Sequence, residues 1–422
     1  MEKRSGSFVG SLILVWFLCL GGCERAASLP LGQPDLGQPP TGLTCSGFEA
    51  GATVALGPAF SVYLAAGEST LLAIREVPVQ GGEQGGGGAF NYTVRALNYG
   101  GSFAGPEGVL ANSEGGFIAA TGSSYGGFLV SAYHPDETLT MRAWLGRYHP
   151  QGVLQPGSPH WATPAGRPGS LALASTRRGD YAVYSEWNES GYSVESVSYI
   201  ARDGQPTVTG NVLSYPGGGC NYVYEMAGWG EGVAYAVSRE HAEPPGGFDL
   251  MLSSHRLDGS LFEILLATDP PGPEETGGGG CYRPFWVYGV YETGDEIIIV
   301  WRDWRNNNNT TGPLKVTYVE EADRTPKDVA TYELPVGAVA AVPQCGGLAA
   351  LVVHGGLQPN EHLFLLNRQA QEVSRLPLPG LKTVELTYYQ PALVATKEGV
   401  ALGMLLPGNQ TATATTAFFR RR

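Results

Sequence analysis

Gly230-Glu231-Gly232 opens the run Val233-Ala234-Tyr235-Ala236-Val237, and Leu257-Asp258-Gly259 closes the strand that follows. This passage decides the fold. A glycine turn feeds an apolar strand rich in β-branched residues, and an Asp-Gly pair is a strong hairpin signal. The same order recurs along the chain. Equivalent first turns fall at Ala66-Gly67-Glu68, Glu114-Gly115-Gly116, Arg178-Gly179-Asp180, Thr293-Gly294-Asp295, Cys345-Gly346-Gly347 and Glu398-Gly399. The strands after them are alike: Thr70–Ile74, Phe117–Ala120 with Phe128–Ala132, Tyr181–Ser185, Glu296–Trp301, Leu348–Val353 and Val400–Leu406. Arg202-Asp203-Gly204 repeats the third-strand turn. A period of roughly 50–60 residues is that of propeller blades.

The best internal match sets Gly217-Gly218-Gly219-Cys220-Asn221-Tyr222 against Gly278-Gly279-Gly280-Cys281-Tyr282-Arg283, each just before a strand that runs into a glycine turn. Counting turns gives seven units, the last of which, Leu393 to Arg422, holds three strands. Phe48–Leu56 precedes the first full unit and supplies the fourth, which closes the ring and leaves no open seam. The expected fold is therefore all-β: one seven-bladed β-propeller over residues 45–422, closed by an N-terminal strand. Six or eight blades are the alternatives, and a pair of β-sandwiches is the rival. There is no Gly-His…Trp-Asp pair, and the glycine doublets lack the kelch spacing.

Composition agrees. The 422 residues include 61 Gly and 30 Pro, with 43% hydrophobic and only 15% charged residues. That mixture suits many short strands joined by turns and disfavours long helices. A formal charge of −13 argues against a nucleic-acid partner, which needs a clustered basic surface.

The start of the chain is an address. Glu2-Lys3-Arg4 precedes the uncharged apolar run from Phe8 to Leu20, too short to span a bilayer, which takes roughly 20 residues. A basic start, a short apolar centre and small residues at the cut describe a secretory signal over residues 1–22. Leu20-Gly21-Gly22-Cys23 resembles the lipobox of bacterial lipoproteins. The resemblance implies a diacylglycerylated, N-acylated Cys23, hence a membrane partner through its lipid. Several acyl chains together give stable anchoring, at about 0.8 kcal/mol per buried CH₂. Glu24 in place of an Asp leans toward the outer membrane of the bacterial cell envelope. Residues 23–44 hold the near-duplicates Leu31-Gly32-Gln33-Pro34 and Leu36-Gly37-Gln38-Pro39 and read as an extended tether.

Once Cys19 leaves with the signal and Cys23 carries lipid, Cys45, Cys220, Cys281 and Cys345 remain, an even set in an exported protein. In a propeller, Cys220 and Cys281 stand at equivalent positions before neighbouring innermost strands. Cys345 and Cys45 share the opposite face. The pairing expected is Cys220–Cys281 and Cys45–Cys345.

Chemistry is sparse. Gly122-Ser123-Ser124-Tyr125-Gly126 fits the Gly-x-Ser-x-Gly pattern of hydrolase elbows, but that motif works on a strand-to-helix turn and here both neighbours are strands. It reads as a hairpin loop. The histidines lack metal-ligand spacing, and no calcium loop, phosphate-cradling loop or cofactor motif is found. One cluster stands out: Trp301, Arg302, Trp304 and Arg305 at the end of a second strand, with Trp187, Tyr282 and Arg283 (and Trp161) on loops of the same expected face. Trp and Arg are enriched in binding hot spots, and a Trp face holds a sugar or a cation. The competing reading has the tryptophans capping blade cores and the arginines paired with nearby acids. Three classes of function follow: a non-catalytic binding or protein-interaction propeller with a protein or carbohydrate partner, which is preferred; an extracytoplasmic enzyme acting on sugars through carboxylates in the central channel; and a structural surface lipoprotein.

Overall fold

The computed structural model describes residues 45–422 except 79–89, 111–117, 136–140, 159, 162–166, 177–178, 188–192, 203–205, 209–212, 216–221, 230–231, 241–246, 257, 270–283, 294–295, 304–313, 321, 323, 333–337, 354–361, 379–391 and 407–411. Among the described residues there are seven antiparallel sheets and no helix. Blade 1 is Ser61–Ala66, Thr70–Pro78, Phe90–Asn98 and Gly108–Leu110. Blade 2 is Ile118–Gly122, Phe128–Pro135, Met141–Tyr148 and His160–Trp161. Blade 3 is Arg167–Thr176, Gly179–Trp187 and Ser193–Ile200, whose free edge takes both Pro206–Val208 and Leu213–Tyr215. Blade 4 is Tyr222–Trp229, Gly232–Glu240, Phe248–Arg256 and Leu261–Asp269. Blade 5 is Phe285–Thr293, Glu296–Asp303, Leu314–Glu320 and Pro326–Tyr332. Blade 6 is Ala338–Gln344, Gly347–Val353, His362–Leu366 and Glu372–Pro377.

Blade 7 is made from both ends of the domain. Ala392–Ala395, Gly399–Leu406 and Thr413–Arg421 come from the C-terminus, and Phe48–Pro58 pairs antiparallel with Thr413–Arg421. The first strand of each blade packs against the first strand of the next, and that of blade 7 returns to that of blade 1. The fold is thus a seven-bladed β-propeller, closed by the N-terminal strand, and the alternatives of six or eight blades fall away.

Each blade buries both faces, because neighbouring blades cover them; such strands read as nearly unbroken apolar runs. In Glu296–Asp303, Ile297, Ile299 and Trp301 enter the wedge shared with blade 4, while Ile298 and Val300 enter the wedge shared with blade 6. The two-residue pleat sends successive side chains to opposite faces, and this alternation splits one apolar run between two cores. The described residues accordingly form seven apolar clusters, one in each wedge.

The glycine at the head of the second strand has a specific cause. A Cβ on Gly127, Gly232, Gly347 or Gly399 would lie 2.0 Å from the carbonyl oxygen of Tyr148, His255, Leu366 or Phe419, each on or at the end of the third strand beside it. Only glycine lets the third strand close down there, so the repeat shows itself as a glycine at a fixed place. Blade 2 departs from the sequence reading. Its first turn is not Glu114-Gly115-Gly116, which lies outside the described residues, but residues 123–127, so Ile118–Gly122 is an innermost strand rather than a second one.

Cys45 and Cys345 are joined, with 5.7 Å between their Cα atoms across 300 residues of sequence. Cys345 and Gly346 form a two-residue turn with φ of 54° and 71° between the paired Gln344 and Gly347. The bond ties the entry to the closing strand to blade 6. Cys220 and Cys281 lie outside the described residues, as do Cys23 and the tether.

Candidate functional site

The innermost strands of blades 4 and 5 depart from regular pairing. In blade 4 the ladder runs from Val223↔Val237 to Met226↔Tyr235, so Tyr224 and Glu225 together oppose the single residue Ala236. Val223 and Met226 fill the wedge shared with blade 3, and Tyr224 and Ala227 fill the wedge shared with blade 5. Glu225 is the extra residue and joins neither core. A bulge re-aims a side chain in this way. On an innermost strand the remaining direction is the propeller axis, and Glu225 is solvent-exposed there. It still stands among surrounding inner strands that strip much of its hydration. Burial pushes its carboxyl up to about 7. Among the described residues no cation or hydrogen-bond donor pairs with this carboxylate.

Blade 5 carries a second bulge on its inner strand, whose Tyr288 and Tyr291 pack against the core shared with blade 6. Its ladder breaks between Val287 and Gly289, which leaves Tyr288 as the extra residue. Burial raises the Tyr288 phenol, and a hydrogen bond and the positive charge of Arg302 oppose that rise. A Cβ on Gly289 would overlap the Tyr291 ring, so glycine there is what lets Tyr291 fold back across the strand. The Tyr291 hydroxyl donates to the Ala341 carbonyl of blade 6 at 2.5 Å. Burial raises its phenol well above the usual range, and the charge of Glu225 adds to that. A Cβ on Gly228 would meet Glu292 Oε2 at 2.9 Å and Thr176 Cγ2 at 3.0 Å, which sets Thr176, Gly228 and Glu292 level on three successive inner strands. Glu225 and Glu292 therefore stand three residues apart in height, roughly 10 Å at about 3.3 Å per residue.

The residues singled out from sequence separate. Trp301 is 1% exposed, packs edge-on to Phe285 and donates its indole N–H to Thr317 Oγ1 at 2.9 Å. It caps a blade core and offers no face to a ligand. Lys315 stacks over its ring and reaches Asp303 at 3.7 Å. Arg302 is 2% exposed and bonds Tyr288, so it reaches the inner strand but not the outer surface. The physical reason is common to both: the end of the second strand is still flanked by two blades. Trp187 ends the second strand of blade 3 and not a loop. Trp304, Arg305, Tyr282 and Arg283 lie outside the described residues.

Gly122-Ser123-Ser124-Tyr125-Gly126 is a strand-to-strand turn, as its neighbours require, and it does a structural job. Ser123 Oγ donates to Asp180 Oδ2 at 2.7 Å, and the Ser124 backbone N–H and hydroxyl donate to Asp180 Oδ1 at 2.9 and 3.0 Å. Arg147 Nη1 donates to the same carboxylate at 2.7 Å and Arg147 Nη2 to the Ala201 carbonyl at 2.8 Å. Asp180 is fully buried and Arg147 is 3% exposed. This ion pair locks blade 2 to blade 3 across the wedge with the fewest buried apolar residues, six, among those described.

What these features define is a seven-bladed β-propeller with a solvent-exposed carboxyl on a bulged inner strand. No protein-family model matches the chain. No curated protein matches it either. Among solved structures it is similar to TolB from Acinetobacter baumannii, with 12% identity and a TM-score of 0.35 over 74% of this chain and 64% of that one. The chain thus spans less than two thirds of the TolB chain. The propeller assignment rests on the sheet order and the closed ring of inner strands.

Proposed function

We propose that this is a lipid-anchored protein of the bacterial envelope, acylated on Cys23, whose propeller is a non-catalytic binding module for a partner protein. The observation that carries the binding reading is Glu225: a bulge turns it into the channel, and no described cation neutralises it. A ligand that brings a Lys or Arg side chain would complete the ion pair through charge-assisted hydrogen bonds, the strong kind. Trp304, Arg305, Tyr282 and Arg283, with Trp187, belong to the proposal as an outer contact surface.

Capture of partners from detergent-solubilised envelopes tests this, run in parallel with the parent, E225Q and the double variant W304A/R305A. The expected result is one or more proteins retained by the parent and depleted at least tenfold with E225Q. Equal recovery removes Glu225 from the site. Mass analysis of the mature N-terminal peptide, with and without C23S, tests the anchor: a mass lacking acyl chains on Cys23 removes it. The raised Glu225 carboxyl also favours a second reading, hydrolysis of a glycosidic bond with Glu225 as acid. Two carboxylates some 5–10 Å apart are then needed, and Glu292, roughly 10 Å away in height alone, stands at or beyond that range. Turnover of an envelope glycan that E225Q abolishes would select it.

A further inference from the structure

The outer edges of the blades are guarded unequally. An edge strand presents unpaired N–H and C=O groups to any other strand, and short length, proline, charge and bulges are the usual defences. Blade 1 ends in a three-residue strand, blade 2 in a two-residue one, and blade 3 in two pieces of three. The edge of blade 5 begins Pro326-Lys327-Asp328, that of blade 6 carries Glu372 and Arg375 and ends at Pro377, and the closing strand of blade 7 has two register breaks and ends at Pro58. Blade 4 ends in Leu261-Phe262-Glu263-Ile264-Leu265-Leu266-Ala267-Thr268-Asp269, nine residues without proline, lysine or arginine. One bulge at Leu266 is its only irregularity. Glu263 is bound by Arg239 and Ser253 of the same sheet. Ile264 points into the core, while Leu261 and Leu265, on the opposite face, are 37% and 50% exposed.

We propose that this edge pairs with the same edge of a second copy of the chain, antiparallel, about a two-fold axis through Leu265. The charges at its ends choose the occupant and the direction. Arg256 and Arg324 stand over the Phe262 ring, 5.9 and 4.1 Å from its centroid, at the Leu261 end, where the exposed Asp258 carboxylate also interacts with Arg256. Asp269 closes the other end. Antiparallel pairing over all nine residues sets Leu265 beside its counterpart and carries each Asp269 to the guanidinium end of the other copy. Parallel pairing would set Asp269 against Asp269 and the arginines against each other. The arrangement is self-complementary, so it stops at two copies and does not grow into a fibre. Among the described residues no strand pairs with this edge, and the dimer makes it part of a continuous eight-stranded sheet, the same device by which a sheet edge takes up a peptide strand.

Sedimentation of the full-length protein in non-ionic detergent, over about 1–100 μM, measures the association. The parent is expected to dimerise, and L265K to weaken the dimer at least tenfold, with its thermal midpoint equal to the parent's at concentrations where both are monomeric, since Leu265 is on the surface. Mild oxidation should link L265C to itself, and L261C to D269C but neither of these to itself. A parent that stays monomeric throughout overturns the proposal, as does an L265K that dimerises like the parent, or D269C linking to itself. A monomeric chain that instead adds a strand from another protein at this edge also overturns it.

Discussion

Opening the Cys45–Cys345 bond should cost the propeller more than a typical disulfide, because the loop it closes is almost the whole domain. The variant of choice is C45S/C345N: Cys345 holds φ at 54° in a two-residue turn followed by Gly346, and Asn is the residue best suited to that place. The native state then changes little. Phe48–Pro58 stays paired with Thr413–Arg421, and the Ser46 and Arg422 backbone N–H groups still bond the Arg422 and Gly47 carbonyls at 3.1 and 3.0 Å. The loss falls on the unfolded chain, which regains the freedom of a 300-residue loop. The chain-entropy relation gives ~5.7 kcal/mol for that length, against typical values of about 2–4 kcal/mol. A Cys220–Cys281 bond inside the loop would shorten it by about 60 residues and lower the figure only to ~5.5 kcal/mol, since the dependence is logarithmic. Urea titration of the oxidised parent, the reduced parent and the variant measures it. The unreduced variant should be destabilised by about 3–6 kcal/mol relative to the oxidised parent, and parent and variant should coincide when both are reduced. A loss below about 1 kcal/mol would falsify the entropic account, and a variant much weaker than the reduced parent would show that the native turn was damaged instead.

Three further outcomes are expected. Removing one member of the buried Arg147–Asp180 pair, in R147M or D180L, should destabilise by about 3–5 kcal/mol, and the double variant by much less than the sum; additive losses in a denaturation cycle would contradict an interblade lock. G399A, whose Cβ would press on the Phe419 carbonyl at 2.0 Å, should lose about 2–3 kcal/mol or more, whereas G100A meets no atom within 4 Å and should unfold at the parental urea concentration. Burial raises the Glu225 carboxyl from 4.5 to about 7, so its contribution to stability is full below 4.5 and is lost as pH rises through 7. E225Q should therefore gain on the parent between pH 5 and pH 8, and urea midpoints that keep a constant gap over that range would count against a raised carboxyl.

Much of the fold could be read from the chain because its repeat has a steric origin. The glycines at 232, 347 and 399 are visible as turns since a Cβ would strike the third strand, and the blade count comes from these together with the other recurring turns. Blade 2 was misread because Glu114-Gly115-Gly116 and Gly126-Gly127 are equally good turns, and nothing local tells an innermost strand from a second one. The candidate site was hidden for a related reason. Tyr222 to Ala227 carries no sign of a bulge; only the register against Gly232–Glu240 shows that Glu225 is the extra residue. Trp301 and Arg302 looked like surface contacts because a strand end seems free in sequence, and two flanking blades enclose it in space.

By itself the sequence determined the all-β repeat and pointed to seven blades, a closing N-terminal strand and a Cys45–Cys345 pairing, all properties of periodicity and of position within a repeat; the closed ring of inner strands decided among six, seven and eight blades. Tertiary structure alone decided which polar groups meet. Arg147 and Asp180 are 33 residues apart and share a wedge only because blade 3 follows blade 2 around the ring. Glu225 faces the axis only because its ladder slips by one residue. Local sequence sets where strands start and stop, while the wedge between blades, a contact between distant segments, sets which side chain is core, lock or site.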